Sequence, residues 1–284
     1  MRDMFARIRR GWELTKTAWS VVRSHPGMAR LPLTGGALAL LALAAFAVPG
    51  VALIAPEDAS TAETVGGIVL IAVGAYLASF AVVYYNVALA AAADEALAGR
   101  DPDIRAARAV ARSRVRVIAA WAIVSVVVSA ALAFVRDRAG VAGDITASIG
   151  GALWSLVTFL VVPVLAFEGI GPVAAMKRSA SLFRQRWGQQ VTGNLVIGGV
   201  AGLVMLVAVA LAVLGVAVMT GGGAAAGAAG AVMLSIGVVA GVAAAVFSGA
   251  TRGVFGVALY RYVADNRTVG PFSVQDMESA ARPS

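Results

Sequence analysis

Residues 195–219 read LVIGGVAGLVMLVAVALAVLGVAVM, a stretch of 25 residues that contains no charged side chain. A helix of about 20 apolar residues crosses the roughly 30 Å hydrocarbon core of a bilayer, so this stretch is long enough to span a membrane. Five further blocks of similar length and character occur in the chain. The six predicted spans are Leu33–Ala55, Ile68–Ala91, Val117–Val135, Ile145–Phe167, Leu195–Met219 and Ala229–Ala250.

The composition of the whole chain agrees with lipid as its solvent. Of 284 residues, 60% are hydrophobic and only 13% are charged, whereas about a quarter of the residues of a soluble domain are charged. Cysteine is absent and His25 is the one histidine, so disulfide frameworks and Cys/His metal sites lack their ligands. The sequence therefore predicts an all-α, polytopic membrane bundle without a cofactor.

The distribution of basic residues predicts the orientation of the six spans. All lysines and arginines except Arg136 and Arg138 fall before the first span, between the second and third, between the fourth and fifth, or at and after the end of the sixth. Positive residues resist translocation and stay in the cytoplasm. We therefore expect both termini to be cytoplasmic. The net charge of +8 lies beside the spans, which favours anionic lipid headgroups over nucleic acid as the partner.

Each predicted cytoplasmic segment contains a stretch with helical periodicity ahead of a pair of spans. This order predicts one transmembrane domain, residues 1–264, built as a threefold repeat of surface helix and helical hairpin with units 1–101, 102–171 and 172–264. A polar cytoplasmic tail, residues 265–284, follows. The alternative is that the pattern reflects topology alone, because many polytopic proteins have basic amphipathic loops on the cytoplasmic side.

Amphipathic spacing is clearest in the third surface segment. Its predicted apolar face is Val173, Met176, Ala180, Phe183 and Trp187. The candidate surface for lipid or a partner protein consists of Lys177, Arg178, Arg184, Arg186 and Trp187. In the first unit, Phe5, Ile8, Trp12, Trp19 and Val22 repeat the apolar spacing. The second unit has a basic stripe, Arg105, Arg108, Arg112 and Arg116, opposite a weaker apolar side.

Four polar residues lie near the ends of predicted spans and form a candidate intramembrane polar cluster: Asn86, Glu168, Asn194 and Arg252. An unpaired charge at this depth is costly, so we expect Glu168 and Arg252 to pair, with an asparagine completing the hydrogen bonds. The alternative for Arg252 is that its long side chain reaches the headgroups from within the span.

Catalytic and nucleotide-binding motifs are missing from the sequence. It has no Gly-rich phosphate loop followed by Lys-Ser/Thr, no nucleophile elbow and no zincin pair, which predicts that the protein is not an enzyme. The leading hypothesis is a membrane protein that organises or assists a partner protein or lipid through its basic surface helices. The alternative is a transporter, channel or lipid-moving protein for an apolar or small solute. The partner protein can also be a second copy of this chain, which would give a homo-oligomer.

Several segments resemble a known family. They include Asn86-Val87-Ala88-Leu89, the stretch from Trp154 to Phe159, Phe167-Glu168 with Gly171-Pro172, and Val257-Ala258-Leu259-Tyr260-Arg261-Tyr262. In these segments the chain resembles a family of bacterial six-span membrane proteins of unknown function. The resemblance implies a bacterial plasma membrane. In layout the chain is also distantly similar to the membrane domain of some glycerophosphodiester phosphodiesterases, without their catalytic domain.

Overall fold

The structure, a computed structural model, describes residues 2–138, 140–187, 194–220 and 224–274, and the regular elements within these ranges are all helical. Their bounds are α1 (Arg2–Ser24), α2 (Arg30–Ala42), α3 (Val48–Ile54), α4 (Thr61–Leu97), α5 (Ile104–Ser113), α6 (Val115–Arg138), α7 (Gly140–Thr158), α8 (Val161–Phe167), α9 (Pro172–Trp187), α10 (Asn194–Thr220) and α11 (Ala224–Ala264). A 3-10 turn, Pro26–Ala29, precedes α2, and a π-helical turn, Leu43–Ala47, joins α2 to α3. The all-α prediction is confirmed.

Four helical segments of the described chain are long and apolar enough to cross a membrane: Pro26–Ile54, Thr61–Leu97, Val115–Asp137 and Ala226–Ala264. They contain the second, third and sixth predicted spans and all of the first except its last residue, Ala55. A shorter apolar helical segment, Leu206–Thr220, lies within the fifth. Large apolar side chains such as Leu40, Val127 and Val239 are exposed by 61% or more. Such extensive apolar exposure is typical of helices that face lipid.

The fourth predicted span, Ile145–Phe167, is not one continuous helix. Helix α7 ends at Thr158 and α8 begins at Val161, with a turn between them. Pro163 explains the interruption, because a proline inside a helix has no N–H to donate and its ring crowds the carbonyl four residues earlier, here that of Phe159. The fourth predicted span therefore consists of two helices separated by a turn.

Two helices are much longer than a bilayer requires. α4 has 37 residues and α11 has 41, which at 1.5 Å per residue makes them about 55 and 61 Å long. The exposed large hydrophobic side chains of α4 end at Val82, and those of α11 end at Val242. From residue 87 of α4 and residue 250 of α11 onward, most side chains are buried. Each helix therefore has an apolar, exposed part and a densely packed part.

The packed parts come together in one core, which we call the packed end of the bundle. Its buried side chains come from α1, the C-terminal part of α4, α5, the start of α6, α8, α9 and the C-terminal part of α11, and include Leu14, Val22, Leu89, Ala111, Ile118, Leu165, Leu182 and Leu259. The rest of the bundle, where large apolar side chains are exposed, is the apolar half. The packed end thus gathers the short helices α5, α8 and α9 around the ends of α4 and α11.

Parallel packing of α4 and α11 brings distant residues to the same level. A Cβ added to Gly253 would lie 2.5 Å from Cδ2 of Leu89, so only glycine allows α11 to approach α4 so closely at this point. Further toward the C-termini of both helices, Asp94 meets Arg261. This alignment positions the charged side chains described next.

Candidate functional site

Charged side chains of four helices meet at the packed end. Glu168 follows α8, and its Oε1 accepts hydrogen bonds from Nε of Arg178 in α9 and from Oη of Tyr260 in α11, each at 2.9 Å. The Glu168 side chain is 24% exposed and that of Arg178 is 38% exposed. The pair is therefore partly shielded from water and joins α8, α9 and α11.

The structure gives Glu168 a different partner from the one expected. In place of Arg252, Glu168 binds Arg178, which lies ten residues further along the chain. Arg252 is exposed on α11. The turn between α8 and α9 brings Arg178 back to the carboxylate, so the local partner is closer than one from the last span. The prediction of a Glu168–Arg252 pair is wrong within the described residues.

The carboxylate also changes the acid-base behaviour of Arg178. The hydrogen bond to Glu168 raises the pKa of Arg178 above its ordinary value, and partial burial opposes this only in part. An arginine is already charged at every physiological pH, so the raised pKa leaves the positive charge of Arg178 in place beside Glu168.

A second group of charges surrounds Arg261. Its Nε and Nη2 donate to the two carboxylate oxygens of Asp94 in α4, at 2.8 and 2.7 Å, in the two-pronged geometry that the planar guanidinium favours. Its Nη1 donates to Asp265 at 2.7 Å. The guanidinium also lies 4.6 Å from the ring centroid of Phe167, within the range of a cation–π interaction.

Phe167 connects the two groups, since it precedes Glu168 and its ring lies 5.4 Å from that of Tyr260. We call the combined set Asp94, Glu168, Arg178, Tyr260, Arg261 and Asp265 the charged network. All three of its carboxylates accept hydrogen bonds from arginines. Two arginines serve three carboxylates, because Arg261 binds both Asp94 and Asp265. The network connects α4 and the turn after α8 to α9 and α11.

A further arginine closes the turn after α8. Gly169 has a φ of +63°, a conformation that side chains other than glycine rarely adopt. An added Cβ at Gly169 would collide with the guanidinium of Arg114, whose Nε donates to the carbonyl of Ala166 at 3.4 Å. Glycine is therefore required here for both its backbone conformation and its lack of a side chain, and this keeps Glu168 facing α9 and α11.

The other residues of the predicted polar cluster lie apart from the network. Asn86 is half-buried on α4, eight residues before Asp94. Asn194 is the first residue of α10, and its side chain lies outside the described part of the structure. Asp94 itself is twelve residues beyond Val82, or about 18 Å along the helix. The network is thus well beyond the lipid-facing surface of α4.

Only part of helix α9, the predicted surface for lipid or a partner protein, is exposed. Lys177 and Arg184 are exposed, whereas Arg178 binds Glu168. The side chains of Arg186 and Trp187 lie outside the described residues. The face of α9 toward the core is Ala175, Ser179 and Leu182, each 1% exposed or less. Val173, from the predicted apolar face, is 58% exposed.

Sequence reasoning missed Asp94 and Arg261 as partners. Both carried a signal: Asp94 follows an uncharged alanine-rich stretch, and Arg261 stands between Tyr260 and Tyr262 at the end of a long apolar block. A charged residue in an otherwise uncharged helix is expected to have a partner. Their separation of 167 residues left that partner unspecified.

Comparison with known proteins gives a family but no activity. No curated protein and no solved structure matches the chain. One family model, described as a family of unknown function (DUF6159), matches residues 65–270. The match begins within α4, continues to α11 and includes the charged network, and it ends two residues before Phe272. The chain therefore belongs to DUF6159, a family of unknown function whose helical segments, in this member, include four that are long and apolar enough to cross a membrane.

Proposed function

We propose that this chain is an integral protein of a bacterial plasma membrane that crosses the bilayer six times, with both termini in the cytoplasm. We further propose that it is not an enzyme, and that its packed end lies at the cytoplasmic face and binds anionic lipid or a partner protein. A homo-oligomer is one form of that partner. Two separate observations support the topology and the binding surface.

The position of α9 supports six crossings. Arg178 of α9 contacts the network at the same end of the bundle as the C-termini of α4 and α11. The chain reaches α9 from α5, at that same end, by way of α6, α7 and α8, and it leaves by way of α10. The stretch from α6 to α8 and the stretch from α10 to α11 therefore each pass through the apolar half and return to the packed end. Together with the basic residues at this end, they favour three hairpins of spans.

The order of elements supports a threefold repeat. Surface helices α1, α5 and α9 each precede a pair of long helical segments. Each also contacts the preceding pair: α5 packs on α4, α9 packs on α7 and α8, and α1 packs on the last pair, α10 and α11. Trp19 of α1 lies 4.7 Å from Phe247 of α11, measured between ring centroids. In a threefold repeat, this contact of α1 with the last pair would join the first unit to the third.

The observation that carries the binding function is an excess of exposed positive charge around the packed end. Arg23 of α1, Lys177 and Arg184 of α9, and Arg252 of α11 are exposed, and none of them belongs to the ion pairs formed within the described chain. Fixed positive charge next to a membrane attracts anionic headgroups and acidic protein surfaces.

Cysteine labelling tests the topology sharply, because the natural sequence contains no cysteine. Single substitutions D58C, K177C and T268C place a thiol at exposed positions. With six spans, an impermeant maleimide labels D58C in intact cells, whereas K177C and T268C react only after permeabilisation. D58C and T268C are controls on the two sides. Labelling of K177C in intact cells would instead give a four-span arrangement with α9 outside.

Native mass spectrometry of the chain extracted together with its surrounding lipid tests the binding function. We expect the chain to retain anionic phospholipid, a partner protein or a second copy, because exposed charge at the packed end is uncompensated. A chain that retains only zwitterionic lipid and no protein would contradict the proposal. A bound small solute would instead favour the transport alternative.

A further inference from the structure

Three arginines form an exposed row on α5. Arg105, Arg108 and Arg112 follow one another at intervals of three and four residues, so they lie on one face of the helix. All three are exposed, and Ala107 and Ala111 on the opposite face are buried. None of the three takes part in the ion pairs of the described chain. The row is therefore a concentrated, uncompensated positive charge.

The row differs from the basic stripe that the sequence predicted. α5 ends at Ser113, and the chain turns at Arg114 before α6 begins at Val115. Arg116 consequently lies on a different helix from the other three arginines, and Arg114 is directed toward the carbonyl of Ala166 in the packed end. The exposed row on α5 is thus limited to three residues.

Several contacts hold the row in place. Asp103 caps α5 by accepting the backbone N–H of Arg105 at 2.7 Å, and Ile104 lies against Gly27. The hydroxyl of Tyr84 donates to the carbonyl of Arg108 at 3.3 Å. The Arg108 guanidinium lies 5.8 Å from the ring centroid of Tyr85. The backbone that carries the arginines is therefore fixed before any ligand binds, which lowers the entropic cost of binding.

These contacts also locate the row along the bundle. Tyr84 and Tyr85 come directly after Val82 and Val83, and Val82 is the last exposed large hydrophobic residue of α4. Tyrosine is enriched where helices leave the hydrocarbon core. Arg108 contacts both tyrosines, so the row lies at the level where the lipid-facing surface of α4 ends, which is the level of phospholipid headgroups.

We propose that Arg105, Arg108 and Arg112 form a binding site for the phosphate-bearing headgroup of an anionic phospholipid. The guanidinium matches phosphate geometry because two of its N–H groups donate in parallel. The row lies where the apolar surface ends, which is the level of phospholipid headgroups. This position favours a lipid as the ligand, because a soluble anion could bind at any exposed level of the protein. This inference rests on the proposed function, in which the packed end faces the inner leaflet, and it names one site within it.

The test is lipid titration of the purified full chain in neutral detergent, with native mass spectrometry to count bound phosphatidylglycerol and, separately, phosphatidylcholine. The site variant is R105Q/R108Q/R112Q. The matched control, K177Q/R184Q/R252Q, removes the same number of exposed charges from α9 and α11. Because these charges belong to the proposed binding surface but do not lie together on one helix face, we expect the control to weaken binding as well, by less than the site variant. Each basic residue near an anionic headgroup strengthens binding by roughly fivefold, so the site variant is expected to bind phosphatidylglycerol about a hundredfold more weakly.

Four outcomes separate the possibilities. A larger loss in the site variant than in the control, with partial recovery in R105K/R108K/R112K, which keeps the charge but not the paired N–H donors, supports the inference. Equal loss in the site and control variants overturns the site but leaves lipid binding by the packed end intact. If the natural chain binds both lipids equally, the site and the lipid part of the proposed function both fail. Displacement of the lipid by millimolar inorganic phosphate would overturn the assignment to a lipid.

Discussion

Replacing Phe272 by alanine is expected to lower the free energy of unfolding by about 3 to 5 kcal/mol, the usual cost of removing a buried phenylalanine ring. Phe272 follows the end of α11 and is only 3% exposed. Its ring lies 6.3 Å from that of Phe255, measured between centroids. The residue therefore anchors the segment after α11 to the packed end, and its loss leaves a cavity there.

The backbone of the same segment explains how Phe272 reaches the core. Gly270 has a φ of +62°, and a Cβ added to it would lie 2.7 Å from Cδ2 of Leu97. The chain thus turns tightly against the end of α4 and directs Phe272 inward. From sequence, residues 265–284 are a polar tail, but within the described part of that tail Phe272 is buried and Val269 is partly buried.

SDS titration in mixed micelles, followed by circular dichroism, measures the effect of Phe272→Ala on the full chain. Val274→Ala is the matched control, because Val274 belongs to the same segment but is 53% exposed. We expect the control to change the free energy of unfolding by less than about 0.5 kcal/mol. Equal effects of the two variants would show that Phe272 does not anchor the segment.

Replacing Arg261 by alanine is expected to cost about 2 kcal/mol, a value between exposed ion pairs at 0 to 1 and fully buried ones at 3 to 5. Arg261 and Asp94 are 28% and 22% exposed, so both lie between these limits. The substitution leaves Asp94 and Asp265 without their shared cation and removes the contact with the ring of Phe167.

Arg252→Ala is the control for this prediction, because Arg252 lies on the same helix and is exposed. The same SDS titration should give a change below about 0.5 kcal/mol for the control. Arg261→Lys keeps the charge but cannot reproduce the two-pronged bond to Asp94, so we expect an intermediate loss. If Arg261→Ala is no more destabilising than Arg252→Ala, the charged network does not hold α4 to α11.

The helical class and several spans followed from local properties of the sequence. Hydropathy is a sum over about 20 consecutive residues, and the four segments that are long and apolar enough to cross a membrane coincide with four of the predicted blocks. The break before α8 also had a local cause, since Pro163 was visible in the fourth block. The mean hydropathy of Ile145–Phe167 did not reveal this break, because one proline changes the hydrogen bonding of a helix but hardly changes its hydropathy.

The pairing of charges did not follow from local properties. From sequence, Glu168 was recognised by its position at the end of an apolar block. Arg252 was predicted to be its partner because it is a basic residue at the end of another span. The structure instead uses the turn at Gly169 to bring Arg178 to it. Asp94 and Arg261 meet only because α4 and α11 run parallel with Gly253 against Leu89. A hydropathy profile contains no information on which helices touch.

The sequence by itself therefore determined the helical class and most of the apolar segments, because each depends on the properties of neighbouring residues, above all on their transfer between water and lipid. The tertiary structure decided which charges neutralise each other and which remain exposed. It paired Arg178 and Arg261 with carboxylates and left Arg105, Arg108 and Arg112 exposed without an ion-pair partner. Ion pairs form over a few ångströms, and only the packing of distant helices brings such groups within that range.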